Sequence, residues 1–200
     1  MKTLSIIATG LLASAVALAG PGKGKKAITY KVDTKASTID WTGKKVTGSH
    51  TGKISFESGA ITTNGKALTG GTVAVAMKTM TVEDIKDAET SGKFLGHMHS
   101  PDFFDTEKHP KAIFKITGVK KTGPTTYDVT GDLTVKATTL PQTVPVTVTM
   151  AGTMLTAKGV LKIDRTKYDI KYGSGSFFSD LGDKMINDDF ELNLNLVAKK

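Results

Sequence analysis

The feature that most constrains this chain is an alternation of apolar and polar side chains that recurs along most of its length after residue 27. In segment 127–135, Tyr, Val, Gly, Leu and Val hold the odd positions, while Asp and Thr hold the even ones. Segments 144–150 and 190–196 follow the same period. Because successive side chains of a β-strand point to opposite faces, this period predicts strands with one dry face and one wet face.

Turn-forming residues separate these segments and indicate antiparallel hairpins. Asn64-Gly65 predicts a type I′ turn, since both residue types tolerate a positive φ. Further turns are expected at Gly70-Gly71, Thr122-Gly123-Pro124, Ala151-Gly152 and Lys158-Gly159. Many short strands at this spacing predict an all-β sandwich or barrel, and closure into a barrel removes exposed strand edges.

Segment 82–95 departs from the two-residue period and predicts a helix. Its apolar residues are spaced as on one helical face, with Thr81 as a candidate N-cap and Asp84 three residues later. Ser100-Pro101-Asp102 predicts the start of a second short helix, because proline fits the first helical position. We therefore expect short helices in one long central connection between two β halves.

The first 19 residues have the pattern of a secretory signal peptide. Lys2 supplies a positive charge, residues 3–16 are uncharged, and Ala17-Leu18-Ala19 fits the small-x-small cleavage pattern. We expect cleavage near Ala19, a flexible basic leader over residues 20–26 and one barrel domain over residues 27–200. The mature protein would then lie in the periplasm or be secreted; an uncleaved membrane anchor is the alternative.

The chain is basic, with a formal net charge of +8 at pH 7, which favours anionic partners. Nucleic acid is an unfavourable candidate, because export removes the protein from it and the aromatic residues fall on the dry faces. Peripheral contact with an anionic membrane is the candidate interaction that is left. Solvated surface charge is the plainer explanation, since many lysines occur in pairs at expected turns and chain ends.

The sequence contains no recognisable enzyme or metal signature. It has no P-loop, no G-x-G-x-x-G, no G-x-S-x-G and no H-E-x-x-H. There is no cysteine, and the four histidines match no zinc or calcium spacing. His97 and His99 would point about 200° apart on a helix. We expect neither catalysis nor a resident metal, and we expect His97 to bond the backbone and anchor the connection.

An ordered series of motifs resembles the YceI-like family of exported, lipocalin-like proteins. The motifs include Tyr30–Asp33, Ser37–Trp41, Gly48–Gly52, His97–Asp105, Thr130–Thr134 and Asp164–Tyr168. The resemblance implies an extended antiparallel barrel of eight strands with short helices in the central connection. It also implies an elongated apolar pore that takes a polyisoprenoid or isoprenoid-quinone tail. Ala137 departs from the pattern, since the family often has glycine there.

The inward apolar face is the candidate binding surface. The strand residues expected there are Trp41, Phe56, Phe114, Ile116, Leu133, Val135, Val146, Val148, Leu161 and Ile163, with Phe94, Phe103 and Phe104 at the lid. Alternation by itself favours an ordinary packed core, whereas the resemblance favours a pore. Arg165 beside Tyr168 is a candidate for contact with a phosphate or quinone oxygen. Its pairing with Asp164, Asp169 or another carboxylate is the alternative.

These observations predict a lipid-binding protein that holds an isoprenoid or isoprenoid-quinone tail for carriage or storage. No other cofactor is implied. A hydrolase or isomerase acting on a lipid inside the pore is one alternative, and a ligand-free structural or stress-response barrel is another. A second copy of the chain, forming a homodimer, is also kept open as a partner.

Overall fold

Nine β-strands make up most of residues 26–200, the part of the chain that the computed structural model describes. They are β1 (Ile28–Val32), β2 (Thr38–Lys45), β3 (Gly48–Thr63), β4 (Leu68–Ala76), β5 (Lys111–Lys121), β6 (Thr126–Val135), β7 (Thr138–Ala151), β8 (Met154–Asp164) and β9 (Ile186–Lys199). One α-helix, α1 (Ala88–His99), and three short 3-10 turns, Met77–Thr79, Arg165–Tyr168 and Gly182–Lys184, complete the fold. The expected signal peptide and nearly all of the leader lie outside the described residues.

The strands close into an antiparallel barrel with eight strand positions, as the family resemblance implies. The order around it is β3-β2-β9-β8-β7-β6-β5-β4, and β4 pairs again with β3. β1 and β2 share one position, because β1 lies between the end of β3 and the end of β9 while β2 pairs with the rest of both strands. Closure leaves no free edge running the length of the sheet. Within residues 26–200, no helix is both long and apolar enough to cross a membrane.

Burial along the strands follows the alternation in the sequence. On β6, all five odd-numbered residues from Tyr127 to Val135 are buried, and none of the even-numbered ones is. On β9, Phe190, Leu192 and Leu194 are half-buried and Leu196 is buried, while Glu191 and Asn193 between them are exposed. The dry faces therefore meet inside the barrel, and the expected division into inner and outer faces is confirmed.

The ladder between β7 and β8 is incomplete at one end of the barrel. The two strands pair only from Val146 to Ala151 on β7, so the first half of β7 bonds β6 alone. Pro141 and Pro145 lie in this half, where a missing N–H is tolerated because one neighbouring strand is absent. Tyr168 lies across the gap, and its hydroxyl accepts a hydrogen bond from Gln142 Nε2 at 3.1 Å.

Three of the expected turns differ in the structure. Gly70-Gly71 and Lys158-Gly159 lie inside β4 and β8. A Cβ added to Gly71 would come within 2.5 Å of a backbone oxygen, and one added to Gly159 within 2.6 Å, so these glycines permit close approach of neighbouring strands. The connection at Asn64 is a four-residue loop rather than a type I′ turn, because the Asn64 side chain accepts the Ala67 N–H. The turns at 122–124 and 151–152 are confirmed.

The central connection contains one α-helix, and the expected helix start was wrong. The helix begins at Ala88 and is capped by Asp87, whose carboxylate accepts the Thr90 N–H at 2.8 Å. Thr81 instead lies along β3, where its N–H donates to the Lys53 carbonyl at 2.8 Å. The open edge of β3 beyond the end of β4 takes up these residues in extended form. The second expected helix, at Pro101, is a series of turns.

Gly52 permits the close approach of the connection to β3. A Cβ at this position would lie 1.9 Å from the Thr81 carbonyl oxygen and 2.7 Å from the Trp41 ring. We expect Gly52→Ala to lower the free energy of unfolding by roughly 1–3 kcal/mol, because the connection must move away. Urea denaturation measures this. Gly43→Ala is the matched control, since nothing lies within 4 Å of its added Cβ; equal destabilisation of both variants would contradict the steric explanation.

Candidate functional site

An apolar cavity of about 410 Å³ lies in the half of the barrel that the central connection covers. Strand residues form its walls and floor, among them Ile39, Ile54, Val75, Leu133, Val135 and Leu192. The connection forms its roof with Met80, Phe94, Met98, Phe103 and Phe104. Apart from the buried Arg165, the charged lining residues are exposed and mark the rim: Lys44, Lys45, Asp183, Lys184 and Asp189. A slim apolar molecule would fit inside, with a polar end at the rim.

The other half of the barrel holds buried side chains that do not line this cavity. Its core includes the buried residues Tyr30, Ile61, Leu68, Val129, Leu155 and Ala198. These residues lie toward the barrel end where β9 finishes and β8 begins, opposite the helix. The interior is therefore a packed core at one end and an open cavity at the other.

Eight of the fifteen candidate binding residues line the cavity, and the other seven do not. Trp41, Phe94, Phe103, Phe104, Leu133 and Arg165 line the cavity, as do Val135 and Ile163. Phe56, Val148, Leu161 and Tyr168 are buried but do not line the cavity. Tyr168 lies at the same end of the barrel as the cavity, across the gap between β7 and β8. Phe114, Ile116 and Val146 are half-buried and pack against the buried residues of the barrel interior. Contact between any of these residues and a ligand stays a prediction.

Trp41 and Phe94 hold the helix over the cavity. The Trp41 indole Nε1 donates a hydrogen bond to the Thr81 carbonyl at 3.0 Å, which fixes the start of the connection. The Phe94 ring stacks nearly parallel to the Trp41 ring, with 6.2 Å between their centroids. Phe94 also contacts the His50 ring, with 4.9 Å between the two ring centroids. Helix α1 is thus attached to β2 and β3 through aromatic contacts.

Asp84 fixes the connection to the edge of β3 by polar contacts. Its Oδ2 lies 2.7 Å from His50 Nδ1, and its Oδ1 accepts the Thr51 N–H at 2.8 Å. Burial by itself raises the pKa of Asp84, but the hydrogen bonds from Thr51 and His50 outweigh it, so the pKa lies below its ordinary value. The charged carboxylate is therefore the form that holds the connection in place.

The lowered pKa of Asp84 predicts an acid-sensitive attachment of the connection. The stabilisation is fully present above the ordinary value of 3.8 and is lost as the pH falls through the lower pKa of the folded state. Trp41 fluorescence, which reports on the indole bonded to Thr81, is expected to change in this acidic range. Asp84→Asn is the control, because it cannot titrate; an unaltered fluorescence transition in that variant would assign the change to other carboxylates.

Arg165, the only arginine of the chain, uses its side chain to bond backbone carbonyl groups. Its side chain donates four hydrogen bonds of 2.8–3.0 Å, to the carbonyl oxygens of Ile170, Tyr172, Ile186 and Asn187. The nearest carboxylate is that of Asp188, with 3.6 Å between Nη2 and Oδ1. The arginine therefore joins β9 to the loop that follows the 3-10 turn at 165–168. A planar guanidinium supplies this set of directions, whereas a lysine cannot.

His97 packs against aromatic rings, and the expected backbone bond from its side chain is not what the structure shows. Its ring packs edge-on against the Tyr172 and Phe103 rings, with centroid distances of 4.4 Å and 5.1 Å. The Arg165 guanidinium lies 5.8 Å from the Phe103 ring. These rings close one side of the cavity. Among the described residues, no group of three or more His, Cys, Asp or Glu side chains is placed to hold a metal ion.

Replacing Arg165 is expected to destabilise the fold at the cavity rim. Arg165→Lys leaves buried carbonyl groups without donors, so we expect the free energy of unfolding to fall by about 3 kcal/mol or more. Thermal and urea denaturation measure the loss. Lys167→Gln, two residues away and exposed, is the control and should leave stability nearly unchanged. A stable Arg165→Lys variant would show that the carbonyl contacts contribute little.

Residues 30–198 match the family model described as the YceI-like domain. Among curated proteins, a UPF0312 protein of Azotobacter vinelandii is 44% identical over 63 residues, which is 32% of this chain and 30% of that protein. A UPF0312 protein of Pseudomonas putida strain GB-1 is 56% identical over 39 residues, 20% of each chain. The chain thus matches less than a third of the length of these two relatives.

Solved structures share the barrel at low sequence identity. Burkholderia cenocepacia BcnA has a TM-score of 0.68 at 24% identity, covering 84% of this chain and 99% of that one. A polyisoprenoid binding domain from Saccharophagus degradans, implicated in plant cell wall breakdown, has a TM-score of 0.64 at 16% identity, covering 85% and 97%. The Campylobacter jejuni YceI protein has a TM-score of 0.54 at 13% identity, covering 100% and 99%. These likenesses show a common fold.

Proposed function

The chain belongs to the YceI-like domain family, and we propose that it binds the apolar tail of an isoprenoid or isoprenoid quinone inside its barrel. The observation that carries this proposal is the apolar cavity, which stays open in a barrel whose other half is packed. A protein that needed only stability would fill both halves, because interiors are normally close-packed. The cavity therefore supports a binding function.

The cavity suits a slim hydrocarbon chain. Its volume of about 410 Å³ falls within the range of about 300–1,000 Å³ that is usual for small-molecule sites. Leu133 on β6 and Phe104 in the connection present hydrocarbon surface to any occupant. Transfer of apolar area from water to such surface contributes about 25 cal/mol per Å². Burial of the tail supplies the binding free energy, and no chemical reaction is required.

The polar head of the lipid would lie at the rim. Lys44, Lys45 and Lys184 line this part of the cavity and provide flexible ammonium groups for a phosphate or quinone oxygen. Arg165 is less suited to that contact, because backbone carbonyls already occupy its donors. We therefore propose the rim lysines, ahead of Arg165, as partners of the head group.

The family and the sequence pattern support the biological setting of this proposal. One solved structure with the same fold is that of a polyisoprenoid binding domain. The N-terminal pattern supports export, cleavage near Ala19 and a mature protein that lies in the periplasm or is secreted. There the protein would carry or store its lipid, with its basic charge favouring peripheral contact with anionic membrane.

Native mass spectrometry of mature protein purified from its own envelope fraction tests the proposed function. Organic extraction then identifies any bound lipid. We expect one isoprenoid or isoprenoid quinone per chain, recovered unchanged. A protein that arrives without ligand and fails to take up added isoprenoids would contradict lipid binding. Conversion of the added lipid into a product would favour an enzyme.

A larger side chain at Leu133 is expected to block the site. Leu133 is buried and lines the cavity, so the indole of Leu133→Trp would occupy space that the tail requires. We expect binding of an added isoprenoid quinone to weaken by about tenfold or more. Native mass spectrometry titration measures this. Leu133→Met keeps the volume and is the control; equal binding by both variants would place the tail elsewhere.

A further inference from the structure

The loop over residues 171–185 exposes aromatic side chains beside the cavity mouth. Phe177 and Phe178 are 50% and 51% exposed, and Tyr172 is 48% exposed. The Tyr172 ring also packs on His97, a cavity-lining residue, so this loop borders the opening directly. Exposed clusters of large apolar residues mark contact sites on soluble proteins.

The β2–β3 hairpin tip extends this apolar surface across the mouth. Val46 at the tip is 54% exposed, and its N–H donates to the Met185 carbonyl at 3.2 Å, which joins the tip to the loop. Seven large apolar residues are exposed within residues 26–200, and four of them lie here. The other three are Ile113, Met154 and Val160, on the outer surfaces or at the far end of separate strands.

Unpaired lysines accompany the apolar residues. Lys44, Lys45 and Lys184 line the rim, and none of them takes part in an ion pair in the part of the chain that the structure describes. The acidic residues of the cavity lining are Asp183 and Asp189, and Asp189 is paired with Lys162. The rim thus has a small excess of positive charge next to its aromatic rings.

We propose that Val46, Tyr172, Phe177 and Phe178, with Lys44, Lys45 and Lys184, form a mouth surface that docks on an anionic phospholipid bilayer. Aromatic side chains beside lysines suit the membrane interface, where rings enter the head-group layer and ammonium groups meet phosphates. Docking in this orientation points the cavity at the bilayer. The inference rests on the proposed lipid-binding function for its purpose, because a tail could then pass between membrane and cavity without crossing water.

Flotation with phospholipid vesicles tests the mouth surface. Mature protein is mixed with phosphatidylcholine vesicles that contain or lack phosphatidylglycerol, with no isoprenoid added. We expect flotation with the anionic vesicles. The double variant Phe177→Ser/Phe178→Ser should bind at least about tenfold more weakly. Met154→Ser is the matched control, since Met154 is 44% exposed at the opposite end of the barrel; the same loss in both would overturn the proposal.

Two lysine pairs at opposite ends of the barrel test the orientation. Lys44→Gln/Lys45→Gln changes the rim, and Lys120→Gln/Lys121→Gln changes the far end of β5. We expect the rim pair to weaken vesicle binding by about fivefold per lysine and the far pair to have a much smaller effect. Equal effects would show general attraction of a basic protein and would overturn the proposed docking face.

Sedimentation and ligand binding separate the remaining outcomes. If the wild type is a dimer that does not bind vesicles, and Phe177→Ser/Phe178→Ser converts it to a monomer, the mouth surface is a subunit contact and the proposal fails.

Native mass spectrometry of the same variant with an isoprenoid quinone is expected to show retained binding. Vesicle docking without any isoprenoid uptake would refute the lipid-binding function alone; uptake without docking would refute the mouth surface alone.

Discussion

The structure depends on how the central connection uses the free edge of β3. β4 ends at Ala76 while β3 continues, so residues 48–54 have one unpaired side. Thr81 and Glu83 donate backbone hydrogen bonds to that side, at 2.8 Å each, and lie against β3 at Gly52, where only a glycine leaves room. This attachment places α1 over the open end of the barrel and not inside the barrel. An apolar space is left beneath the helix for this reason.

The sequence pattern predicts the strands well because alternation is a local signal of which side faces water. β6 and β9 follow it residue by residue. Glycine pairs are harder to interpret, since Gly71 and Gly159 allow neighbouring strands to approach rather than the chain to turn. The helix start was also misplaced, because Thr81 looked like a cap but bonds a strand that lies close only in the folded molecule.

The candidate site could be predicted only in part, because alternation gives the direction of a side chain but not its depth along the barrel. Leu133 and Val148 both face inward, yet one lines the cavity and the other lies in the packed core. Their difference arises from where the connection crosses the barrel. Arg165 shows a second limit: its charge is visible in the sequence, while the four carbonyl groups that surround it converge only in the fold.

The incomplete pairing of β7 and β8 has a mechanical consequence. No ladder hydrogen bond in the described chain joins residues 138–145 of β7 to β8, and the side-chain bond between Gln142 and Tyr168 spans the gap. Separating the two strands there breaks none of the backbone bonds that keep the rest of the barrel rigid. On this side, beside the end where the cavity opens, the wall is therefore held by side chains such as the buried Tyr168, and widening it requires their displacement but not the breaking of a strand ladder.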